Sequence, residues 1–245
     1  MFNNFDSRKI AIILLIIGAA ALMFGSTGGI AGLREKLLII PGLILGLTIH
    51  EYSHAKMADR LGDPTPESQG RLTLNPLAHL DPVGSICLLF AGFGWGKPVQ
   101  IDGSYFRNPA KDNMLVALAG PVSNILLTIA LSILFLLVFT IDCIFKLNQT
   151  LMNLLLDMIL NGALINLSLG IFNLLPFPPL DGSKILSYFL KGKAKEFIWT
   201  LERYSWIILM FLFITELPSM IISPFLSKLG STLITLAYKI AAMVL

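Results

Sequence analysis

Three residues in one short stretch could do chemistry together: His50, Glu51 and His54, in the order His-Glu-Tyr-Ser-His. On an α-helix, two imidazoles four residues apart project from one face, about 40° apart around the axis, and can hold one metal ion between them. The carboxylate between them lies close enough to act on water at that metal without ligating it, which is how a zinc hydrolase divides the work. Chance is a weak competitor. With three His and six Glu in 245 residues, a random H-E-x-x-H arises with a probability of about one in a thousand. A polar cluster that merely packs helices together is disfavoured as well, because three ionisable groups in an apolar helix are costly unless paired or metal-bound.

Catalytic zinc takes three protein ligands and keeps one position open for water, so a third ligand must come from elsewhere. His79 and the acidic residues are the candidates, and chain topology chooses Asp181. Asp59 and Arg60 mark the end of the His-bearing helix, which puts Glu51 ~13 Å inside it. Two apolar spans then carry the chain across and back, returning Asp181, just before Lys184, to the same side. Pro176, Pro178 and Pro179 forbid a continuous helix there, and unwound backbone is tolerated at membrane depth where it lines a cavity. Gly182 is expected to let the chain turn away. His79 lies in a loop and reads as structural.

The rest of the chain must position these groups, and its composition says in what solvent. Hydrophobic residues make up 55% and charged residues 13%, with a mean hydropathy of +0.78. A soluble domain carries roughly 25% charge, so lipid is expected. Disorder is excluded by the scarcity of charge, and the net charge of +3, spread without a basic block, gives no nucleic-acid footprint. Cys87 and Cys143 sit in apolar surroundings and read as packing residues, which excludes a disulfide scaffold or a cysteine zinc site.

Uncharged runs long enough to span a bilayer cover Ile10 to Leu33, Asn113 to Ile141 and Met158 to Leu180, and a further span, Leu37 to Arg60, carries the histidines. Tyr204 to Ser227 and the stretch up to Leu245 add one or two more. The expectation is an all-α polytopic membrane protein of about five or six transmembrane helices around a three-helix catalytic core. Pro82 to Gly96 is too short and too glycine-rich to span, so a re-entrant or β-hairpin element is expected near 82–102. Residues 1–36 read as an extra, uncleaved N-terminal helix, 37–186 as the core and 187–245 as C-terminal amphipathic and transmembrane helices. With Arg8 and Lys9 inside, Arg34, Lys36 and Lys146 fall outside, while Lys56, Arg60, Arg71, Lys97, Lys111 and Lys184 fall inside. That asymmetry sets the active site nearer the cytoplasmic side of a multi-pass, bacterial-type cell membrane.

The paired motifs carry a family resemblance. His50-Glu51-x-x-His54 together with Asn173-Leu174-Leu175-Pro176-Phe177-Pro178-Pro179-Leu180-Asp181-Gly182 resembles the site-2 protease family of intramembrane zinc metalloproteases, peptidase family M50. Gly70 to Pro76, Asp81 to Gly84, Gly94 to Val99 and Ala119 to Asn124 match as well, so the likeness covers roughly Leu43 to Lys184. The resemblance implies that His50, His54 and Asp181 bind one zinc ion, that Glu51 is the catalytic base, and that Asn173 helps to hold the substrate backbone or the oxyanion. It also implies a transmembrane protein as substrate. The short interval between Pro121 and Asp181 leaves no room for the peptide-binding or nucleotide-sensing domains that some members carry, so this chain is similar to the small forms.

Other features read more plainly. Lys97 to Asp102 alternates enough to offer an edge to an extended substrate, against the plainer reading of a connecting loop. Gly120-Pro121 reads as a close-packed helix start, and Asn153, Asp157 and Asn161 as residues facing the bundle interior. Lys191, Lys193 and Lys195 with Trp199, Tyr204 and Trp206 suit the headgroup region. Two other classes compete with a protease. An idle zinc-binding scaffold would have no need of Glu51, and a metal or ion transporter would more often show an internal repeat, which the sequence lacks.

Overall fold

The structure is a computed structural model that describes residues 30–81, 84 and 96–244, with side chains from residue 37. The expected N-terminal helix within 1–36 and most of the re-entrant or β-hairpin element expected near 82–102 therefore lie outside the described residues, as does Cys87, while residues 96–102 are described and form no strand. Seven helices of nine residues or more carry the described part: α1 (Ile30–Arg60), α2 (Pro109–Phe145), α3 (Gln149–Asn173), α4 (Asp181–Phe189), α5 (Lys193–Glu202), α6 (Ser205–Ile214) and α7 (Leu217–Val244). Among the described residues there is no strand, only an isolated antiparallel bridge between Leu80 and Gly96.

Local chemistry explains the boundaries. Asn108 caps α2 by accepting a hydrogen bond from the Lys111 amide, with Pro109 in the first helical position where its missing N–H costs nothing. Asn148 caps α3 in the same way through the Leu151 amide. Pro41, Pro121 and Pro224 lie inside α1, α2 and α7, and helices packed against neighbours in a membrane tolerate such breaks. Gly120-Pro121 is thus mid-helix rather than the helix start its sequence suggested.

Four described helices are long and apolar enough to cross a membrane: Leu37–Arg60 of α1, then α2, α3 and α7. A fifth span results if α5 and α6, bent by 77° at their junction, are taken as one. Their outward faces carry large apolar side chains, among them Leu126, Ile133 and Leu137 on α2 and Met220, Phe225 and Ile234 on α7. Such a surface is stable only against lipid. The protein is an integral membrane protein built of α-helices.

The inner helices α1, α2 and α3 pack on one another most extensively, and α7 closes against α2 and α3. Phe135, Ile159, Leu233 and Ala237 form the apolar seam of α2, α3 and α7. A second cluster, Leu175 and Leu180 with Leu209 and Leu212, anchors the unwound run Leu174–Leu180 against α6. Ala58, Phe106 and Val116, with Met57, Leu61 and Ile101 packed around them, seat the loop before α2 on the end of α1. Asn153 is exposed, so the expectation that Asn153, Asp157 and Asn161 all face inward fails at its first member.

Gly182 serves a purpose other than the turn expected of it. It lies in the first turn of α4, and a Cβ there would come within 2.3 Å of the carbonyl oxygens of both Leu174 and Leu175. The glycine allows α4 to seat directly on the end of the unwound run. Gly182→Ala should therefore destabilise the protein by about 1–3 kcal/mol, the usual cost of overpacking, measured as a lowered melting temperature in detergent. Gly230→Ala, where an added Cβ meets nothing within 4 Å, should leave that temperature unchanged or slightly raised.

Candidate metal centre

α1 presents His50 and His54 one turn apart toward α2 and the start of α4. The Nε2 atoms of the two rings lie 3.0 Å apart, and each lies 3.2 Å from Oδ2 of Asp181. All three residues are buried, and among the described residues they form the group of side chains that could hold a metal ion. The triangle fits a metal better than it fits direct contact. A tetrahedral ion with arms of about 2.0–2.1 Å separates its ligands by about 3.3 Å, close to the three observed edges.

The donors are also oriented for such an ion. Nδ1 of His50 faces Oδ1 of Asn124 at 2.8 Å, and Nδ1 of His54 faces the Val116 carbonyl at 2.7 Å. Both partners are oxygens that accept, so each Nδ1 carries the proton and each Nε2 lone pair points into the triangle. Oδ2 of Asp181 completes the triangle with a carboxylate oxygen, a donor that suits the same ion.

Room for this arrangement comes from Gly120 on α2. A Cβ there would stand 2.4 Å from Nε2 of His54 and 2.7 Å from Cε1 of His50. In the sequence Gly120-Pro121 reads as having a packing role only, and the packing is against the rings of His50 and His54 themselves.

A cavity of about 450 Å³ opens onto the triangle, and His50, Glu51, His54, Asn173, Asp181 and Lys184 line its polar side. The structure therefore brings together all five residues singled out in the sequence and adds the polar side chains of Gln100, Asn113 and Lys184, the last exposed one turn after Asp181. Oε2 of Glu51 accepts a hydrogen bond from the Val99 amide at 3.1 Å. Asn173 donates its Nδ2 to the Leu169 carbonyl of its own helix at 3.0 Å. The opposite wall is Pro98 to Ile101, the stretch read as an alternating edge. It forms no strand, yet it is pinned: Lys97 N–H donates to the His79 carbonyl at 2.8 Å, and the Arg71 guanidinium reaches the carbonyls of Ala78 and Lys97. His79 is fully buried, bonds to the Thr73 carbonyl and does not line the cavity, in keeping with its structural reading.

Asn124 is the site residue that sequence reasoning missed. It appeared only as the last residue of the Ala119 to Asn124 match. The available signal was an amide in an otherwise apolar span, which needs a polar partner.

Comparison with known proteins agrees with this geometry. Residues 38–215 match Peptidase family M50. The chain is 40% identical over 185 residues to a Bacillus subtilis protein named "Putative zinc metalloprotease YwhC", an alignment covering 76% of this chain and 84% of that one. A relative in Methanocaldococcus jannaschii, MJ0611, is 37% identical over 203 residues, covering 81% and 90%. Rip2 of Mycolicibacterium smegmatis is 29% identical over 189 residues, covering 73% and 67%. Both bear the same zinc metalloprotease designation. No solved structure gives a significant match. With most of its length matched, and its His50, His54 and Asp181 gathered at one point, the chain belongs to peptidase family M50.

Proposed function

We propose that this protein is an intramembrane zinc endopeptidase that hydrolyses peptide bonds within or near transmembrane segments of other membrane proteins. The observation that carries this reading is the convergence of three metal-binding side chains and an unligated glutamate on one cavity among apolar helices. His50, His54 and Asp181 would hold one zinc ion. Bound zinc supplies Lewis acidity, activating water at neutral pH and polarising the scissile carbonyl. Glu51 accepts the proton of the attacking water and delivers it to the nitrogen of the departing amine. Asn173 holds the substrate carbonyl or the oxyanion once its Nδ2 exchanges the Leu169 carbonyl for the substrate.

A peptide bond in an intact transmembrane helix is already hydrogen-bonded, so the substrate must reach Glu51 in extended form. Residues 98–101 line the cavity with backbone outside regular structure, which supports their use as an edge for that extended segment. The basic residues Arg60, Arg107 and Lys111 at the ends of α1 and α2 support a cytoplasmic location for the same side of a cell membrane.

Glu51→Gln should retain zinc while cleavage of a single-span substrate by the purified protein falls by roughly 10²–10⁴-fold, the usual contribution of a general base. Equal cleavage by a zinc-loaded variant would exclude the mechanism, and a zinc-loaded wild type that cleaves nothing would point to a scaffold. Asp181→Ala should lose zinc, measured as metal content after dialysis. Treatment of the wild type with a chelator should abolish cleavage, and added zinc should restore it. Val99→Pro deletes the amide that bonds Glu51 and should lower cleavage without loss of zinc, whereas unchanged cleavage would remove residues 97–101 from the substrate path.

A further inference from the structure

Two asparagines are buried without trace of exposure at the centre of the bundle, Asn124 on α2 and Asn166 on α3. An amide in such surroundings is costly unless its donors and acceptor are matched. Nδ2 of Asn166 donates to the Gly42 carbonyl of α1 at 3.0 Å and to the Gly162 carbonyl at 2.8 Å. Both of these oxygens can only accept, so the group facing them must be the NH₂. The amide oxygen of Asn166 therefore faces Asn124, whose Nδ2 donates to it at 3.0 Å. Asn124 is then left with its oxygen toward Nδ1 of His50.

Each orientation in this series follows from the one before. Two backbone carbonyls fix Asn166, Asn166 fixes Asn124, and Asn124 dictates that His50 carries its proton on Nδ1 and aims its Nε2 lone pair at His54 and Asp181. Close approach of α1 to Asn166 is built in, since a Cβ on Gly46 would stand 2.3 Å from the Asn166 amide oxygen.

We propose that Asn166 is a positioning residue for the metal centre: acting through Asn124, it sets the tautomer and direction of His50, so zinc affinity depends on a side chain that touches no ligand. This rests on the reading of His50, His54 and Asp181 as the zinc site. Asn166 also joins α3 to α1, as asparagines in membrane helices commonly do, and the test must separate that packing role from the polar one.

The separating variants are Asn166→Leu and Asn166→Asp in the full-length protein in detergent. Leucine keeps the volume and removes the polarity. An aspartate introduced there is kept neutral by burial, so its hydroxyl can donate to a carbonyl while its other oxygen still accepts from Asn124. Zinc affinity is read by competition with a chelator of known strength, and ligand geometry by the visible absorption of the Co²⁺-loaded protein. Asn166→Leu should weaken zinc binding by roughly 10–100-fold, as loss of an outer partner of a metal-bound histidine does, and shift the Co²⁺ spectrum. Asn166→Asp should stay within a few-fold of wild type. A leucine variant with wild-type affinity and spectrum overturns the proposal, and so does an aspartate variant as weak as the leucine one. Should the leucine variant fail to fold, ¹⁵N spectra of histidine-labelled, zinc-free wild type decide instead: the Nδ1–H form of His50 is expected, and the Nε2–H form overturns the proposal. A wild type that binds no zinc at all defeats the reading of the site, and the proposal with it.

Discussion

The structure depends on holding a carboxylate and two imidazole lone pairs within about one hydrogen-bond length of each other, among helices that face lipid. Left uncompensated, such a group is among the most costly things a protein can bury. The proposed zinc ion turns that cost into binding energy, because its charge offsets Asp181 and its coordination uses both lone pairs. The convergence therefore places strict demands on the scaffold. His50 and His54 arrive together because one helix turn separates them. Asp181 arrives from far along the chain, and only because α2 and α3 carry the backbone across and back. Two glycines then admit the final approach, Gly120 beside the rings and Gly182 beneath the aspartate.

Around this centre the bundle sorts its residues by solvent. His50, Asn124, Thr128 and Asn166 are buried where α1, α2 and α3 meet. Their bonds close on one another or on backbone carbonyls: His50 to Asn124, Asn124 to Asn166, Thr128 to Asn124 and Ala163, Asn166 to Gly42 and Gly162. Outward faces hold leucine, isoleucine and phenylalanine. A bundle in lipid gains little from burying one apolar surface against another, so small residues and satisfied polar contacts carry more of its specificity than they would in water. The polar line down the bundle thus joins the three helices and ends on His50, one of the three proposed metal ligands.

Much of the site was legible in the sequence because its signals are local. The His50 to His54 spacing works on any helix, and the prolines before Asp181 mark an unwound run whatever surrounds it. What stayed hidden depends on partners distant in sequence. Asn153, Asp157 and Asn161 share a four-residue spacing that resembles an inward face, yet Asn153 is exposed, while Asn166, with no such pattern, sits at the centre. Periodicity reveals that a helix has faces, not which face meets a neighbour carrying the matching group. Lys97 to Asp102 has the alternation of a strand but forms none, because its contacts are to the Glu51 carboxylate and to a loop held by Arg71 rather than to a second strand. Gly182 was legible as a special position, but its reason, two carbonyl oxygens from the chain before it, required the fold.

The bonds around the cavity differ in kind on its two sides, and the difference suits a protease. On the ligand side each contact is buried and closed: Nδ1 of His50 on Asn124, Nδ1 of His54 on the Val116 carbonyl, Gly120 packed against both rings. Both Nδ1 contacts are buried, which would keep the proposed ligands in place during a reaction. On the opposite side Glu51 is bonded by a backbone amide of the 97–101 segment, and Asn173 is bonded to a carbonyl of its own helix. A peptide carries the same two groups, an amide N–H and a carbonyl, so an extended substrate can replace either contact without leaving a buried polar atom unsatisfied. Rigidity is concentrated where the metal would be held and exchangeable bonds where the substrate would enter. That separation lets one site be preorganised for chemistry while remaining open to segments of different sequence.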